Sequence, residues 1–192
     1  MKTSLDTIIS EARELFRDHG YAGASMQDLA TRVGIKKPSL YTRFPTKESL
    51  VPEVLALTTR ETFDDLPDAS VAWLERYETV LRRIADTLSD RTRCVGLHLA
   101  YGINDETPEA ADAVRAFFRE QRDGMARILM AAFAEDTAKV MATDALTRLE
   151  GATLWAVIDG DTRPMQRAVD ASLAEARALG RNHQPGIAIV AI

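Results

Sequence analysis

Apolar residues recur with the spacing of an α-helix along nearly the whole chain, and this periodicity constrains the fold more than any other feature. The first stripe returns to an apolar residue every three or four positions from Leu5 to Phe16. Only the tail, GIAIVAI, alternates with the period of two that is typical of strands. The pattern predicts an all-α fold of about nine helices, of which the later ones span residues 71–89, 92–103, 108–133, 143–159 and 163–179.

Composition limits the classes of protein to which the chain can belong. Its 192 residues are 46% hydrophobic, yet no apolar run approaches the length of about 18 residues that spans a bilayer, and the N-terminus lacks the apolar block of a signal peptide. We therefore expect no membrane association and a cytoplasmic location. The single cysteine, Cys94, excludes an intramolecular disulfide and a metal site built from cysteines.

The residue pattern also argues against an enzyme. The three histidines, His19, His98 and His183, include no pair at metal-ligand spacing, and no nucleophile is paired with a base. The acidic cluster around Asp105 is typical of helix capping and solvated charge. The sequence therefore predicts no metal, no cofactor and no catalytic residue.

Residues 25–44 have the pattern of a helix-turn-helix. Ser25 stands at the N-cap of a short helix, Gly34 breaks that helix, and a second short helix spans about residues 38–44. The first 50 residues hold eight Lys or Arg against six Asp or Glu, although the whole chain has a net charge of −5. In a helix-turn-helix the second helix lies in the major groove of DNA, so its outer face needs hydrogen-bond donors. The sequence supplies Lys36, Lys37, Ser39, Tyr41, Thr42 and Arg43.

A long helix is predicted to follow, with a cation at its start. Thr46 is placed to cap a helix that begins at Lys47. A lysine in the first turn opposes the helix dipole at a cost of roughly 0.3–1 kcal/mol, whereas a bound phosphate would satisfy both the lysine and the free amides. The alternative is that Lys47 points into water. Pro52 falls inside this predicted helix, where it removes a hydrogen bond, so we expect a kink at residues 48–52.

The segment GYAGASMQDLATRVGIKKPSLYTRFPTKESL, residues 20–50, resembles the DNA-binding signature of the TetR family of bacterial transcriptional regulators. The shared features are the Gly-Tyr pair, the LA of the first short helix, the Gly-Ile turn and the pattern LY-x-x-F-x-x-K-E-x-L. The resemblance implies a homodimer that represses transcription at a palindromic operator and responds to a small-molecule effector. It implies a helix-turn-helix DNA-binding domain at residues 1–46 and a helical ligand-binding and dimerisation domain at residues 47–192.

The same resemblance assigns contacts with double-stranded DNA. Where the family often has a serine cap before the second short helix, this chain has Lys36, which removes the cap and adds a cation for phosphate. By resemblance, Ser25, Lys36, Tyr41 and Lys47 contact phosphate, and Lys37, Pro38, Ser39 and Thr42 face base edges.

Small residues recur at helical spacing in the last two long helices, and such stripes let helices approach closely. The resemblance favours a dimer interface built from them, and the alternative is packing within one subunit. The stripes are Ala145, Leu149, Ala152 and Ala156, then Ala168, Val169, Ser172 and Ala176.

Large aromatic and polar side chains are scattered through the middle helices. Aromatic residues at helical spacing usually belong to the core, but the resemblance implies a ligand pocket in this part of the chain. The candidate pocket residues are Trp73, Tyr77, His98, Tyr101, Phe117, Trp155 and Asp159, with His98, Tyr101 and Asp159 as polar anchors.

Two further alternatives concern reactivity and function. Cys94 is expected to open a helix beside Arg91 and Arg93, an environment that favours the thiolate, although most single cysteines are inert. The rival to a DNA-binding regulator is a helical small-molecule-binding or adaptor protein that has lost DNA binding. The intact basic pattern from Lys36 to Lys47 argues against that rival.

Overall fold

The computed structural model describes residues 4–91 and 93–182. This part of the chain forms nine α-helices and no strand, which confirms the all-α prediction. The tail GIAIVAI, which has no predicted partner, lies outside the described residues. The helices are α1 (Leu5–Gly23), α2 (Met26–Arg32), α3 (Lys37–Tyr41), α4 (Leu50–Phe63), α5 (Trp73–Arg91), α6 (Val95–Gly102), α7 (Pro108–Leu129), α8 (Glu135–Asp159) and α9 (Arg163–Asn182).

The helices are divided between two compact units. The N-terminal unit contains the described residues up to Asp64 together with Leu88–Gln121, and the C-terminal unit contains Asp65–Thr87 and the described residues from Arg122 onward. The N-terminal unit therefore includes α1 to α4, α6 and the start of α7. The predicted domains, residues 1–46 and 47–192, assign roles rather than compactness and stay a prediction.

The core of the N-terminal unit is built on the predicted apolar stripe of α1. Ile8 and Phe16 from this stripe are buried against residues of other helices, including Leu29 of α2, Leu40 of α3 and Leu99 of α6. Each such burial contributes roughly 1.5–3 kcal/mol of transfer free energy. The short helices α2 and α3 are therefore held in place by packing, because helices of 7 and 5 residues are not stable alone.

The regular course of α1 is broken at Gly20. This glycine has φ 65° and ψ −176°, a region that only glycine enters readily. The break exposes the carbonyls before it, and α6 and the segment leading into it supply donors. Nη1 of Arg93 donates to the carbonyls of Arg17 (3.1 Å) and Asp18 (2.9 Å), and Nδ1 of His98 lies 2.9 Å from the Arg17 carbonyl oxygen.

The predicted start of α4 and the predicted kink are both wrong. α4 begins at Leu50, because Thr46 accepts a hydrogen bond from the Ser49 amide (3.0 Å) and forms a separate turn with that residue. Pro52 is then the third residue of α4. The first amides of a helix have no acceptor within it, so a proline in the first turn removes no helical hydrogen bond.

In the C-terminal unit α8 packs against α9, and α8 begins at Glu135, eight residues before the predicted start at residue 143. The small-residue stripes of α8 and α9 are buried within the subunit. Arg148 and Glu175 join the two helices by an ion pair of 2.5 Å. The prediction that these stripes form a dimer interface is therefore wrong, and packing within the subunit is the correct alternative for Ala145, Leu149, Ala152, Ala156, Ala168, Val169, Ser172 and Ala176.

Candidate nucleic-acid interface

The first helix of the helix-turn-helix is capped as predicted. Ser25 Oγ accepts a hydrogen bond from the Asp28 amide at 3.1 Å and donates one to Asp28 Oδ2 at 2.6 Å. Leu29 and Ala30 are fully buried and fix α2 on the core. These contacts set the position of Ser25, and the phosphate contact assigned to it stays a prediction.

The turn between α2 and α3 depends on Gly34. Its φ of +69° lies in the left-handed region that favours glycine. The amide of Ile35 then donates to the Ala30 carbonyl at 3.0 Å, which folds the chain back before α3 begins. Lys36 is the N-cap of α3 and makes no side-chain capping bond, as predicted, and Pro38 fits in the first turn.

The helix α3 presents a basic surface with an aromatic ring. Leu40 is its buried residue, while the six predicted contact residues from Lys36 to Thr42 are exposed: Lys36, Lys37, Pro38, Ser39, Tyr41 and Thr42. The Lys37 ammonium lies 5.8 Å from the Tyr41 ring centroid, within the range of a cation–π interaction. Residues 36–43 contain three cations and no acid, so this surface is suited to a polyanion.

Lys47 was predicted to begin a helix, but it lies outside α4 and contacts the end of α1. It lies in the turn before α4, and its Nζ donates to the carbonyls of Tyr21 (2.6 Å) and Ala24 (3.0 Å). The same ammonium lies 4.3 Å from the Tyr21 ring centroid. Partial burial lowers the pKa of Lys47, and the pKa of Tyr21 is raised by burial first and then by Glu48 and Glu109. The phosphate contact of Lys47 stays a prediction.

Glu48, the next residue, was missed by the sequence analysis. Its Oε1 accepts a hydrogen bond of 2.9 Å from the amide of Ala110, the third residue of α7. The donor lies 62 positions further along the chain, and no local pattern connects the two residues. The only sequence signal was the carboxylate itself, beside a lysine in a turn.

Three of the seven predicted pocket residues lie in the N-terminal unit. His98 is bound to the Arg17 carbonyl, and Phe117 is buried with its ring in edge contact with Phe118 at 5.2 Å between centroids. Tyr101 is 80% exposed. These three side chains therefore have separate surroundings: a backbone carbonyl, the apolar core and solvent.

The other four predicted pocket residues lie in the C-terminal unit. Trp73 makes an edge contact with Phe133 at 5.4 Å between ring centroids. Tyr77 is buried, and its pKa is raised by burial first and then by Glu175. Trp155 and Asp159 are exposed near the end of α8. The pocket assignment stays a prediction for all seven residues.

The side of α8 that faces away from α9 carries exposed apolar side chains. Val140, Leu154, Trp155 and Ile158 are between 48% and 62% exposed and recur at helical spacing with Gly151. On α9, the exposed residues Ala171, Ala174 and Ala178 also share one face. We call these eight residues the α8–α9 outer face.

The described residues contain neither a membrane-spanning helix nor a metal site. No helix in residues 4–91 and 93–182 has the length and apolar character needed to cross a bilayer. Within the same ranges, no group of three or more His, Cys, Asp or Glu side chains is arranged to hold a metal ion.

Comparison with known proteins places this geometry among regulators. The family model described as bacterial regulatory proteins, tetR family, matches residues 8–54, and the model described as transcriptional regulator LmrA/YxaF-like, C-terminal domain, matches residues 70–171. The first match contains α2, α3 and the Lys47–Glu48 pair. The second match contains all seven candidate pocket residues.

Individual proteins agree with the family models. The chain is 28% identical over 97 residues to the HTH-type transcriptional repressor DhaR of Mycobacterium sp. (strain GP1), covering 46% of this chain and 47% of that protein. It is 47% identical over 45 residues to the biofilm operon negative regulator IcaR of Staphylococcus aureus (strain Newman), covering 23% of this chain and 24% of IcaR. The matched part thus spans about half of the first relative and a quarter of the second.

A solved structure extends the fold comparison to nearly the whole chain. The crystal structure of a TetR transcriptional regulator from Legionella pneumophila superposes with a TM-score of 0.80 at 20% identity. The superposition covers 91% of this chain and 98% of that one. At this identity the similarity shows a common fold.

Proposed function

We propose that this chain, which belongs to the tetR family of bacterial regulatory proteins, is a transcriptional repressor and binds operator DNA through α2 and α3. The observation that carries this proposal is the exposed basic surface of α3 beside α2, which is capped by Ser25 and packed on the core through Leu29 and Ala30. A helix-turn-helix with this distribution places its second helix in the major groove. DhaR is named a transcriptional repressor and IcaR a negative transcriptional regulator, which supports repression over activation.

The proposed contacts divide into two classes. Lys36, Tyr41 and Ser25 would bind phosphates, which fixes the register of the protein on the duplex without reading the sequence. Lys37, Pro38, Ser39 and Thr42 would face base edges, where hydrogen bonds and apolar contacts discriminate between sequences. The exposure of all these residues except the half-exposed Ser25 supports this assignment.

We further propose that the protein acts in the cytoplasm as a homodimer through the last two long helices. The supporting observation is the α8–α9 outer face, which combines large apolar residues on α8 with exposed alanines on α9. Burial of exposed apolar groups of this kind in an interface lowers the free energy, and small residues let two helices approach closely. The two helix-turn-helix domains of a dimer would then bind the half-sites of a palindromic operator.

The effector proposal is that a small molecule binds in the C-terminal domain and lowers operator affinity. All seven predicted pocket residues lie within the residues that match a regulator C-terminal domain, which supports this part of the proposal. A ligand can shift the protein between two states only by as much as its affinity differs between them. Release of the operator therefore requires a ligand that binds more tightly to a state in which the spacing of the two DNA-binding domains does not fit the operator.

The test is binding to the DNA upstream of the gene for this protein, measured by fluorescence anisotropy over a series of salt concentrations. We expect selective binding whose affinity falls with increasing salt, because each phosphate contact releases counterions. A scrambled duplex of the same length is the control. Equal affinity for both duplexes would contradict the proposal and favour a helical adaptor that has lost DNA binding.

A further inference from the structure

Two adjacent residues of opposite charge, Lys47 and Glu48, each bind the end of a different helix. The Lys47 ammonium bonds to the carbonyls of Tyr21 and Ala24 where α1 ends. The Glu48 carboxylate bonds to the amide of Ala110 where α7 begins. A turn of two residues thus connects helix termini that are far apart in the sequence.

The signs of both charges match the helix ends that they contact. The C-terminal end of a helix carries partial negative charge and is stabilised by a cation, whereas the N-terminal end is stabilised by an anion. Lys47 meets the carbonyl end of α1, and Glu48 meets the amide end of α7. An exchange of the two residues would place each charge against a helix end of the same sign.

The end of α1 is held from a second side. Arg93 and His98 donate to or contact the carbonyls of Arg17 and Asp18, just before the break at Gly20. Lys47 bonds to carbonyls on the other side of this break, immediately before Ser25 caps α2. The corner between α1 and the helix-turn-helix of α2 and α3 is therefore fixed both from the α3–α4 turn and from α6, all within the N-terminal unit.

We propose that Lys47 and Glu48 are positioning residues that hold α2 and α3 in the orientation required for operator binding, by fastening the α3–α4 turn to the ends of α1 and α7. This inference rests on the DNA-binding role proposed for α2 and α3. In this role the Lys47 ammonium binds the carbonyls of Tyr21 and Ala24 and not a phosphate of DNA. Glu48 also becomes a determinant of DNA affinity, although its carboxylate would be repelled by a phosphate.

The salt dependence of binding separates positioning from a phosphate contact. Loss of one phosphate contact reduces the slope of log K against log salt concentration by about 0.9, and it weakens binding to every sequence alike. Loss of a positioning contact leaves that slope unchanged and weakens operator binding more than non-specific binding. The exposed Lys36, which is the N-cap of α3 and a proposed phosphate contact, provides a matched lysine for comparison.

The experiment measures operator and scrambled-duplex affinities of Lys47→Met, Glu48→Ala, Glu48→Gln and Lys36→Met over a salt series. We expect Lys47→Met and Glu48→Ala each to bind the operator roughly ten-fold more weakly at unchanged slope, because a hydrogen bond to a charged group is lost in each. Glu48→Gln keeps an oxygen that accepts from Ala110 and should retain most of the affinity. Lys36→Met should reduce the slope by about 0.9, because Lys36 is proposed to contact a phosphate.

The outcomes separate the inference from the function on which it rests. If Lys47→Met lowers the slope by about 0.9 and Glu48→Ala binds like the wild type, the positioning role is refuted. If Lys47→Met does not fold, Glu48→Ala decides by the same criterion. A purely structural role would lower the free energy of unfolding while leaving the ratio of operator to scrambled-duplex affinity constant, and this outcome also overturns the inference. Wild-type protein without selective binding would overturn the proposed function as well.

Discussion

At the scale of single residues, two glycines with positive φ show how one backbone position shapes the helix-turn-helix and the chain that leads into it. Gly20 ends the regular part of α1, and Gly34 makes the turn between α2 and α3. Both positions strain any residue with a Cβ atom. They differ in their surroundings, since a Cβ on Gly20 would lie 3.4 Å from Nε2 of His98, whereas a Cβ on Gly34 would meet no atom within 4 Å.

We expect Gly20→Ala to lower the free energy of unfolding by roughly 1–3 kcal/mol, because its φ and ψ are essentially restricted to glycine and His98 is close. Gly34→Ala is the matched variant, with an expected loss of roughly 1–2 kcal/mol from backbone strain alone. Urea denaturation of both proteins measures the difference. A Gly20→Ala protein as stable as the wild type would show that the break in α1 has another origin.

At the scale of helices, the sequence predicted where most helices lie but not every helix end or partner. The positions of α1, α2, α7 and α9 follow from apolar stripes and breakers, which are local signals. The start of α4 was missed because Thr46 caps a separate turn with Ser49, and a Thr before a helical pattern does not reveal which amide it binds. The error about Pro52 followed from the wrong starting residue.

The errors of partner choice have the same physical origin. Periodicity shows which face of a helix is apolar, but it does not show whether a neighbouring helix or a second subunit covers that face. For this reason the stripes of α8 and α9 were assigned to a dimer interface, although they are buried within the subunit, and the α8–α9 outer face was overlooked. The bond from Glu48 to α7 is also a long-range contact that no local pattern records.

Cys94 provides a prediction about a helix end. Its Sγ accepts a hydrogen bond from the Leu97 amide at 3.4 Å and so caps α6, as a serine would. We expect Cys94→Ser to keep the stability of the protein, whereas Cys94→Ala loses the cap at a cost of about 0.5–2 kcal/mol. Thermal unfolding compares the two variants. An unchanged effector response of Cys94→Ser would exclude a redox role for the thiol.

The contact between α6 and α7 provides a second prediction about helices. A Cβ on Gly96 would lie 2.5 Å from Cε1 of Phe117, which is buried. We expect Gly96→Ala to lower the free energy of unfolding by roughly 1–3 kcal/mol through overpacking. Phe117→Leu added to Gly96→Ala should recover part of this loss, since the smaller side chain leaves room for the methyl group. Failure of the double variant to recover stability would indicate that the helix backbones have moved apart instead.

At the scale of the whole molecule, the function proposed above requires two copies of the chain. One helix-turn-helix offers few phosphate contacts. Two linked helix-turn-helix domains bind a palindrome more tightly, because the second domain binds at high effective concentration once the first is bound. The α8–α9 outer face is the surface through which this linkage is proposed. Its aromatic residue, Trp155, is 48% exposed in the subunit, and Ile158 beside it is 62% exposed.

We expect the double variant Trp155→Glu and Ile158→Glu to be monomeric in light scattering, because a carboxylate buried in an apolar interface is strongly unfavourable. The subunit itself should remain folded, since both side chains are exposed and lie opposite the α9-facing stripe. Operator affinity should fall by at least about a hundred-fold, the lower end of the gain expected from linkage, while the scrambled duplex is affected less. Lys139→Glu, a charge reversal at a half-exposed position on the flank of α8, is the control. It should leave both the dimer and operator binding intact, because the pair of Lys139 with Glu135 is a surface ion pair of little energetic value. A double variant that is still dimeric in light scattering would place the subunit contact on a different surface of the molecule.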